Sequence, residues 1–351
     1  MPAASLSPER ALARIDLGAI ERNCARLPGE LCAVVKADGY GHGAVAEAAL
    51  AGGASWLAVA TADEARALRD AGIDARLLVM GALTRADLRM AVHVDADVVA
   101  WTDEVAEAAP RVHVKFDTGM GRLGTTDRAR ALRLAAHSNV VGLMTHFSTA
   151  DEPGDEHFAA QLAEFISFVE RVGRPELTVH AANSAAALRD PASHFDMVRC
   201  GIAIYGMDPF HEDPAAHELE PALSLHSYVA AVRRFEAGES AGYGRTWRAE
   251  RPTWVATIPI GYGDGWRRGL SNNADVLIRG RRHPLVGAIS MDNITVALGD
   301  ATDVEVGDEV TLIGRQGREQ ILAEEVARRL GTINYEITCG LSARVRREHF
   351  R

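Results

Sequence analysis

The feature that most limits the fold of this chain is an alternation between short apolar runs and amphipathic segments, which repeats through roughly its first 200 residues. Examples of such pairs are LCAVVKA with AVAEAALAGG, WLAVA with TADEARALRDAG, and VHVKFDTG with DRARALRLAAH. Repeated strand–helix units predict a parallel sheet. About eight units over ~200 residues fit the usual size of a TIM-type (β/α)8 barrel. A doubly wound sheet is the main competing α/β fold, but no G-x-G-x-x-G sequence follows an early strand.

Local signals indicate where individual helices begin and end. Thr61 is a possible N-cap of one helix, and Gly72 lies just past its predicted end. A longer helix is predicted near residue 160. Its apolar face is predicted to contain Phe158, Leu162, Phe165, Ile166 and Val169.

The chain changes character at HEDPAAHELEP, a polar, proline-containing connector from His211 to Pro221. Beyond it, β-type runs separated by Gly, Asn and Asp predict a smaller, mostly-β C-terminal domain that one helix, AEEVARRL, interrupts. We therefore predict a barrel domain over residues 1–215 and a β domain over residues 216–351. Residues 11–17 could form an N-terminal strand that associates with the β domain.

Composition excludes several classes of function. Hydrophobic residues make up 47% of the 351 residues, which is enough for a sizeable core. The formal charge of −10 argues against nucleic acid or an anionic membrane as the main partner, because either needs a basic surface. No run approaches the ~18 apolar residues of a membrane span, and MPAASLSPER lacks the pattern of a secretory signal.

Cysteine and histidine spacing indicates neither a disulfide framework nor a metal site. The four scattered cysteines are Cys24, Cys32, Cys200 and Cys339. They have no metal-type spacing, and the thirteen histidines include no H-x-x-x-H or H-E-x-x-H arrangement. We expect reduced thiols, a cytoplasmic location and no metal.

The segment AVVKADGYGHG, from Ala33 to Gly43, ends an apolar run with Lys36. In a barrel, the C-terminal end of a strand lies at the rim that carries the chemistry. A partly desolvated lysine there loses its charge more readily and can form a Schiff base, and the glycines around Tyr40 let the backbone approach a ligand. This combination suggests an aldehyde cofactor such as pyridoxal phosphate. The alternative is an ordinary surface lysine at a strand end.

A phosphorylated cofactor also needs an anion site, which barrels often build from late loops and a helix N-terminus. In HAANSAA, Asn183 and Ser184 lie at a strand-to-helix junction, and RCGIAIYG offers the backbone N–H groups of Gly201 and Ile202. From local sequence alone, the commoner interpretation of a serine at this position is an ordinary N-cap.

From VVKADGYGHG onward the resemblance to a known family is strong. The chain resembles the alanine racemase family of pyridoxal-phosphate enzymes from roughly Ala11 to its end. The further segments that carry the resemblance are VKFDTGMGRLG, THFSTADE, HAANSAAAL, VRCGIAIYG, AGYGRTW, IPIGYGDGWRR, GAISMDN and INYE. The family fold is a (β/α)8 barrel followed by a β domain. The resemblance implies a cytoplasmic isomerase that interconverts L- and D-alanine and supplies D-alanine for peptidoglycan, as a homodimer with an active site shared between subunits.

The resemblance also implies roles for individual residues. Lys36 would hold pyridoxal 5'-phosphate in the barrel domain and act as one of two bases on the cofactor-bound substrate, with Tyr243 of the partner subunit as the other. The implied phosphate ligands are Tyr40, Ser184, Gly201, Ile202 and Tyr335, with Asn183 in support. The substrate carboxylate would be held by Arg122 and by the backbone at Met291 of the partner subunit. The implied access corridor contains Tyr262, Asp151 and Arg268.

Racemisation removes the α-proton from one face of the carbon and returns a proton to the other, so it needs acid–base groups on opposite sides. Arg199 would face the pyridine nitrogen, and His146 would link Arg199 to Tyr243. An arginine cannot accept the ring proton, so the nitrogen stays unprotonated and transamination is discouraged. From the sequence alone, Arg199 could instead be a salt-bridged surface arginine.

Lys115 is the position that is carbamylated in many members of the family. A carbamate would turn a cation into an anion that pairs with Arg122 and aligns it for a carboxylate. Carbon dioxide attacks only the neutral amine, so the modification needs a lowered lysine pKa. The alternatives are Lys115 paired with Asp117, or Arg122 hydrogen-bonded to an acid.

One departure from the family pattern stands out. Members commonly carry an arginine before the ISMD segment, where this chain has Ala288. That position belongs to the implied corridor, so the change bears on substrate access more than on the chemistry.

Other functions fit parts of this pattern. Serine and broad-specificity racemases share the chemistry, although the broad-specificity relatives usually lack the lysine at position 115. Related decarboxylases would place an acid at the pyridine nitrogen, which Arg199 argues against. Non-catalytic pyridoxal-phosphate carriers resemble the barrel alone and would lack AGYGRTW.

Overall fold

The computed structural model describes residues 9–351. Most of the segment MPAASLSPER, which we expect not to be a secretory signal, lies outside the described residues. The chain divides into two compact units, which we call the barrel unit and the β unit. The barrel unit contains Gly18–Tyr40 and Ala44–Glu220. The β unit contains the described residues up to Leu17, the short segment Gly41–Gly43, and Pro221–Arg351. The domain boundary after residue 215 stays a prediction. The two compact units are a division of the structure and do not test where one folding domain ends and the next begins.

Eight parallel strands and alternating helices form a nearly closed barrel, which confirms the predicted TIM-type (β/α)8 fold. The strands are Glu30–Val34, Trp56–Val59, Arg76–Val79, Ala96–Ala100, Val112–Lys115, Val140–Met144, Thr178–His180 and Met197–Cys200. The first seven pair in chain order, and the eighth pairs with the first. Backbone hydrogen bonds from Asp196 to Val179 (3.0 Å) and from Arg199 to Ala182 (2.9 Å) connect the last two strand regions.

Helices follow most of the barrel strands, as the alternation predicted. Their bounds are Ala46–Ala51, Ala62–Asp70, Arg85–His93, Asp103–Ala108, Arg128–Ala135, Glu156–Val172 and Ser184–Arg189. One more helix, Leu17–Arg26, precedes the first barrel strand. Short 3-10 turns occur at Pro191–Ser193, Ile202–Tyr205 and Pro214–His217. The Thr61 side chain accepts from the Glu64 N–H, which confirms Thr61 as an N-cap.

One side chain on the predicted apolar face of the helix Glu156–Val172 was assigned wrongly. Ile166 is 36% exposed, whereas Phe168 is fully buried. The ring of Phe168 packs against Phe116, with centroids 4.6 Å apart, and against Phe165. The aromatic contacts therefore decide which side of this helix faces the core.

The β unit is mostly β-structure, as predicted, and contains several sheets. One sheet has the strand order Arg281–Pro284, Asp275–Ile278, Glu309–Gln316, Leu223–Tyr228, Leu12–Asp16 and Arg346–Phe350, with Glu319–Ile321 beside Glu309–Gln316. A second sheet contains Ala231–Phe235, Thr253–Ile258 and Ile294–Gly299, and a small ribbon pairs Ser240–Ala241 with Trp247–Arg248.

The helices of the β unit only partly follow the sequence pattern. Ala323–Leu330 forms the predicted helix, and Asn334–Cys339 forms a further helix that was not predicted. Short 3-10 turns lie at Tyr243–Arg245, Tyr262–Asp264 and Arg268–Leu270. Within residues 9–351, no helix has both the length and the apolar character needed to cross a membrane.

Candidate active site

Lys36 lies at the C-terminal rim of the barrel, two residues after the end of the strand Glu30–Val34, and its side chain is partly buried. The four residues that follow it, Ala37 to Tyr40, all have φ between 53° and 58°. A left-handed conformation costs roughly 1–2 kcal/mol for each residue that has a Cβ atom. Surrounding contacts must therefore hold this left-handed turn in place, which is common where a fold positions functional groups.

Glu64 holds the beginning of the turn. Its Oε1 accepts a hydrogen bond from the Ala37 N–H (2.7 Å), and its Oε2 accepts from the N–H groups of Ala60 (2.8 Å) and Thr61 (3.1 Å). The same carboxylate thus completes a helix capping box and ties the next rim loop to the residue after Lys36.

Removing the Glu64 carboxylate is expected to destabilise both the helix capping box and the left-handed turn after Lys36. Glu64→Ala should lower the free energy of unfolding by about 2 kcal/mol, because three backbone donors lose their acceptor. The matched control is Asp87→Ala, which disrupts the Thr84–Asp87 capping box without touching the turn and should cost about 1 kcal/mol. Urea unfolding of the two variants measures the difference, and equal losses would argue against a special role for Glu64.

The end of the turn packs against the 3-10 turn Ile202–Tyr205, which follows the last barrel strand. The ring of Tyr40 stacks on Tyr205 with centroids 5.0 Å apart, and the Tyr205 hydroxyl donates to the carbonyl of Val34 (3.0 Å). A Cβ atom at Gly201 would lie 2.4 Å from Oη of Tyr40. Glycine is therefore needed at position 201 for the tyrosine hydroxyl to approach the backbone this closely.

Ser184 completes this corner of the rim, but not as an N-cap. Asn183 caps the helix Ser184–Arg189, with its side chain accepting from the Ala186 N–H (3.0 Å). The Ser184 hydroxyl instead accepts from the backbone N–H groups of Gly201 (3.1 Å) and Ala203 (3.3 Å). Four predicted phosphate ligands are thus brought together in the barrel unit. They are Tyr40, Ser184, Gly201 and Ile202.

Arg199 is buried in the barrel interior rather than salt-bridged at the surface, so the alternative interpretation of this residue is wrong. Its guanidinium donates to Nδ1 of His180 (3.1 Å) and Nδ1 of His146 (3.2 Å). It also donates to the backbone carbonyls of Thr145 and Ala181, each at 3.0 Å. No group within residues 9–351 accepts from Nε, so this N–H is available as a donor to a ligand.

Burial lowers the pKa of Arg199 to about 10, which still keeps the guanidinium charged at neutral pH. Because an arginine can only donate, Nδ1 of His146 must be the acceptor in their hydrogen bond. Desolvation holds the pKa of His146 well below its ordinary value, so this imidazole is neutral and carries its proton on Nε2.

Several cations surround the same part of the rim. After burial, their positive charges lower the pKa of His146 further, in decreasing order of effect Arg199, Lys115, Arg122 and Lys36. The pKa of Lys115 is lowered to about 8, first by burial and then by the charges of Arg199 and Arg122, each of which outweighs the opposite effect of Asp117. Arg199 and Lys115 are buried and Lys36 is partly buried, whereas Arg122 is exposed. Buried cations of this kind require an anion to balance them.

Acidic partners for Lys115 and Arg122 are scarce among residues 9–351. The Asp117 carboxylate accepts from the backbone N–H groups of Gly119 (3.0 Å), Met120 (2.8 Å) and Gly121 (2.9 Å), which shapes the turn after the strand. Among residues 9–351, neither Lys115 nor Arg122 forms an ion pair with a carboxylate. The alternatives of Lys115 paired with Asp117 and of Arg122 bonded to an acid are therefore wrong for this structure.

The remaining predicted residues of the barrel unit lie near its C-terminal rim or on the loops there. Asp151 is half-buried in the loop after the strand Val140–Met144. Of the predicted residues in the β unit, Tyr335 is half-buried in the helix Asn334–Cys339, and Arg268 is exposed in a 3-10 turn.

Tyr243, Tyr262 and Met291 form an exposed apolar group on the β unit. Their exposed fractions are 74%, 42% and 51%, respectively. Backbone hydrogen bonds from Tyr262 to Ser290 (3.1 Å) and from Gly263 to Met291 (2.9 Å) hold two of these loops together. Large exposed side chains of this kind mark an interaction surface.

Ala288 supports the loop of Tyr243 through its backbone. A Cβ atom at Gly242 would lie 2.9 Å from the Ala288 carbonyl oxygen, so a glycine is needed beside Tyr243. A cavity of about 360 Å³ that Tyr243, Ala288 and Asn293 line opens at this position. The small side chain of Ala288 therefore leaves space next to the tyrosine.

Sequence reasoning missed several residues that shape the rim. Glu64, Tyr205 and His180 were not singled out, although buried histidines in apolar strands are a signal that could have been followed. The composition held a second unused signal. The chain contains only two lysines, Lys36 and Lys115, and the structure places both at the rim of the barrel.

Comparison with known proteins agrees with this geometry. The family model described as alanine racemase, N-terminal domain, matches residues 15–209, and that described as alanine racemase, C-terminal domain, matches residues 222–349. An alanine racemase from Symbiobacterium thermophilum is 42% identical, covering 95% of this chain and 96% of that protein. One from Geobacillus kaustophilus is 44% identical, covering 96% and 94%.

A solved structure shows the same likeness in three dimensions. The crystal structure of alanine racemase from Bacillus anthracis with bound L-Ala-P is 40% identical, with a TM-score of 0.89. The match covers 98% of this chain and 95% of that one. Since both domain families and these relatives cover almost the whole sequence, this chain belongs to the alanine racemase family.

Proposed function

We propose that this protein is a pyridoxal-phosphate-dependent alanine racemase that interconverts L- and D-alanine and supplies D-alanine for peptidoglycan in the cytoplasm. The observation that carries the proposal is the set of three cations Lys115, Arg122 and Arg199 in the barrel unit, none of which forms an ion pair with a carboxylate within residues 9–351. A phosphorylated cofactor and an amino-acid carboxylate are the anions that such a site would bind.

The residues present fit pyridoxal 5'-phosphate. Lys36 supplies an amine for its aldehyde, and the unused Nε donor of buried Arg199 suits the acceptor nitrogen of its ring. The corner formed by Tyr40, Ser184 and Gly201 offers hydroxyl groups and backbone donors for its phosphate, with Ile202 and Tyr335 as further predicted ligands. When bound, the cofactor supplies a carbonyl group that condenses with amines and a conjugated ring that withdraws electrons from the α-carbon.

Two bases move the α-proton in this proposal. Lys36 accepts or returns a proton on one face of the substrate, and Tyr243 of a second copy of the chain does so on the other. The neutral imidazole of His146 accepts from Arg199 at Nδ1 and can therefore donate from Nε2 to the phenolic oxygen of Tyr243. Arg199 keeps its own proton, so it orients the ring nitrogen without protonating it.

Arg122 is proposed to bind the substrate carboxylate, with the backbone at Met291 of the second copy. Its guanidinium has no acidic partner among the described residues, so it is available for a bidentate interaction. Asp151, Tyr262 and Arg268 remain proposed corridor residues, and the alanine at position 288 would widen the approach beside Tyr243.

Lys115 is expected to carry a carbamate. A pKa of about 8 instead of 10.5 raises the neutral fraction at pH 7 by about 300-fold, and the neutral amine is the form that attacks carbon dioxide. The new N–C bond forms with loss of one proton and creates an anion beside Arg122. Solution NMR with ¹³C-bicarbonate should show a carbamate carbon whose occupancy decreases as the pH falls below about 8.

Lys115→Arg provides the control for this measurement, because it keeps a cation but cannot be carbamylated under these conditions. The carbamate signal should vanish in that variant. Absence of the signal in the unmodified sequence at pH values above about 8 would contradict the prediction.

The exposed group of Tyr243, Tyr262 and Met291 supports a homodimer. If these side chains complete the partner's active site, their exposure in a single chain is explained. A shared active site also explains why a side chain proposed as a catalytic base lies outside the barrel unit.

Chiral analysis of products from a panel of L-amino acids, with and without added pyridoxal 5'-phosphate, tests the proposed function. We expect D-alanine as the main product and its formation to depend on the cofactor. Faster turnover of serine or of several larger amino acids would favour a racemase of different specificity. No turnover of any amino acid would refute the racemase function.

A further inference from the structure

Four polar side chains from four different strands cross the interior of the barrel unit. Asp97, His113, His180 and Arg199 are exposed by 1%, 0%, 0% and 3%, respectively. They form a continuous series of hydrogen bonds, with 3.1 Å between Arg199 and Nδ1 of His180. The bond between Nε2 of His180 and Nδ1 of His113 is 2.7 Å long, and that between Nε2 of His113 and Oδ2 of Asp97 is 3.2 Å long.

The direction of every bond in this series follows from its two ends. Arg199 can only donate, so Nδ1 of His180 accepts and the His180 proton lies on Nε2. That proton is donated to Nδ1 of His113, so the His113 proton also lies on Nε2 and is donated to Asp97. Burial lowers the pKa of both histidines, which keeps both imidazoles neutral and each in a single tautomer.

Asp97 provides the fixed negative end of the series. Burial would raise the pKa of this carboxyl group, but hydrogen bonds from His113 and Arg111 hold it at about 2. Arg76 also donates to Oδ2 at 2.9 Å. The carboxylate is therefore charged and held in place from three sides, which is what a fixed acceptor requires.

The neighbouring strand, Val140–Met144, has a glycine where the imidazole of His113 packs against it. Gly142 lies directly opposite His113 in the parallel pairing, and a Cβ atom at Gly142 would come within 2.1 Å of Nδ1 of His113. Its φ is outside the left-handed region, so the backbone there does not itself require a glycine. The glycine leaves room for the very nitrogen that accepts from His180.

We propose that Asp97, His113 and His180 form a buried hydrogen-bond relay that fixes the orientation of the Arg199 guanidinium, with Asp97 as a positioning residue for the arginine that faces the cofactor ring. This inference rests on the proposed function for the role of Arg199. The relay itself is a property of the chain without cofactor, so it can be tested separately.

The first test uses cofactor-free protein with ¹⁵N-labelled histidine. The ¹H–¹⁵N spectra, assigned with His113→Asn and His180→Asn, should show both rings neutral with the proton on Nε2 from about pH 6 to about pH 9. Protonation of Nδ1 on either ring, or an imidazolium at neutral pH, would overturn the proposal even if the protein is a racemase.

The second test compares Asp97→Asn with Asp95→Asn. The control removes a carboxylate that also accepts from Arg111 (2.8 Å), but this carboxylate is exposed and does not contact His113. Asp97→Asn should shift the His180 resonances, although residue 97 does not touch His180, and Asp95→Asn should leave them unchanged. Unshifted His180 resonances in Asp97→Asn would overturn the relay.

Kinetics of the holoenzyme distinguish positioning from a purely structural role. Asp97→Asn should lower kcat about tenfold, with the KM for alanine within about twofold, and should change the absorption spectrum of the bound cofactor. Asp95→Asn should match the unmodified protein. If Asp97→Asn alters only stability, leaving kcat and the spectrum unchanged, the positioning role is wrong.

Gly142→Ala provides an independent variant if Asp97→Asn does not fold. It introduces one methyl group against Nδ1 of His113 and changes no charge. The same shifts of the His180 resonances and the same loss of kcat are expected. Normal spectra and normal kcat in this variant would overturn the proposal.

Discussion

Replacing Lys36 by alanine is expected to lower racemase turnover by roughly 10⁴-fold or more and to abolish covalent attachment of pyridoxal 5'-phosphate. Lys36 is proposed both as the amine that holds the cofactor and as one of the two bases, so one substitution removes two functions. The chain has only one other lysine, Lys115, so a lysine that takes over the attachment can be sought at a single position.

Borohydride reduction followed by peptide mapping measures the attachment directly. Reduction makes the bond between cofactor and amine permanent, so the cofactor should be recovered on the peptide that contains Lys36. Lys36→Arg is the matched control for charge, since it keeps a cation at the rim but cannot hold the cofactor in this way. It should be as inactive as Lys36→Ala.

Lys115→Arg separates the two lysines of the chain. It should retain the covalent cofactor on Lys36, because Lys115 is proposed to act on Arg122 and not on the cofactor. Recovery of the reduced cofactor on Lys115 in the unmodified protein, or full activity of Lys36→Arg, would contradict the assignment of Lys36.

The sequence was sufficient to predict the rim residues whose signals are local. Lys36 follows an apolar strand, and Ser184 and Gly201 lie at strand ends in a recognisable alternation, so their position on one rim follows from the barrel itself. The left-handed turn after Lys36 was harder to predict from the sequence. A glycine predicts such a conformation at position 39, but nothing local predicts it at Ala37 or Asp38, where Glu64 and the surrounding packing impose it.

Residues that act through long-range contacts could not be placed from the sequence. Asp97, His113 and His180 are separated along the chain and meet only when their strands close the barrel. The error at Ile166 has a similar cause. The buried face keeps the helical period through Phe165 and Phe168, but the contact of Phe168 with Phe116, which is distant in sequence, decides which side of the helix is buried. The roles of Tyr243 and Met291 depend on a second copy of the chain, which their exposure suggests but a single sequence does not display.

Tyr243→Phe is expected to lower racemisation by about 10²- to 10⁴-fold while leaving one kind of proton exchange intact. L- and D-alanine are mirror images with equal free energies, so the values of kcat/KM in the two directions must remain equal in any variant. The informative measurement is therefore the exchange of the α-hydrogen with deuterated water, followed for each enantiomer. Lys36 should still exchange the hydrogen of the enantiomer that presents it to the lysine face, while exchange of the other enantiomer is lost.

Tyr262→Phe is the matched control for this experiment, since it removes a phenolic hydroxyl group from another exposed tyrosine of the β unit. Any effect it has should be the same for both enantiomers, because a corridor residue acts on access and not on one face of the α-carbon. A small and equal loss of exchange for both enantiomers in Tyr243→Phe would show that Tyr243 is not a base.

Mixed dimers test whether that tyrosine comes from the other subunit. In a symmetric dimer of one Lys36→Ala chain and one Tyr243→Phe chain, one site contains both substitutions and the other contains neither. Random mixing makes about half of the dimers mixed, so about a quarter of all sites should regain full activity although each variant alone is nearly inactive. If Lys36 and Tyr243 of the same chain formed one site, every site in every dimer would lack one base. Mixing would then restore nothing, and the shared active site would be wrong even if both residues are essential.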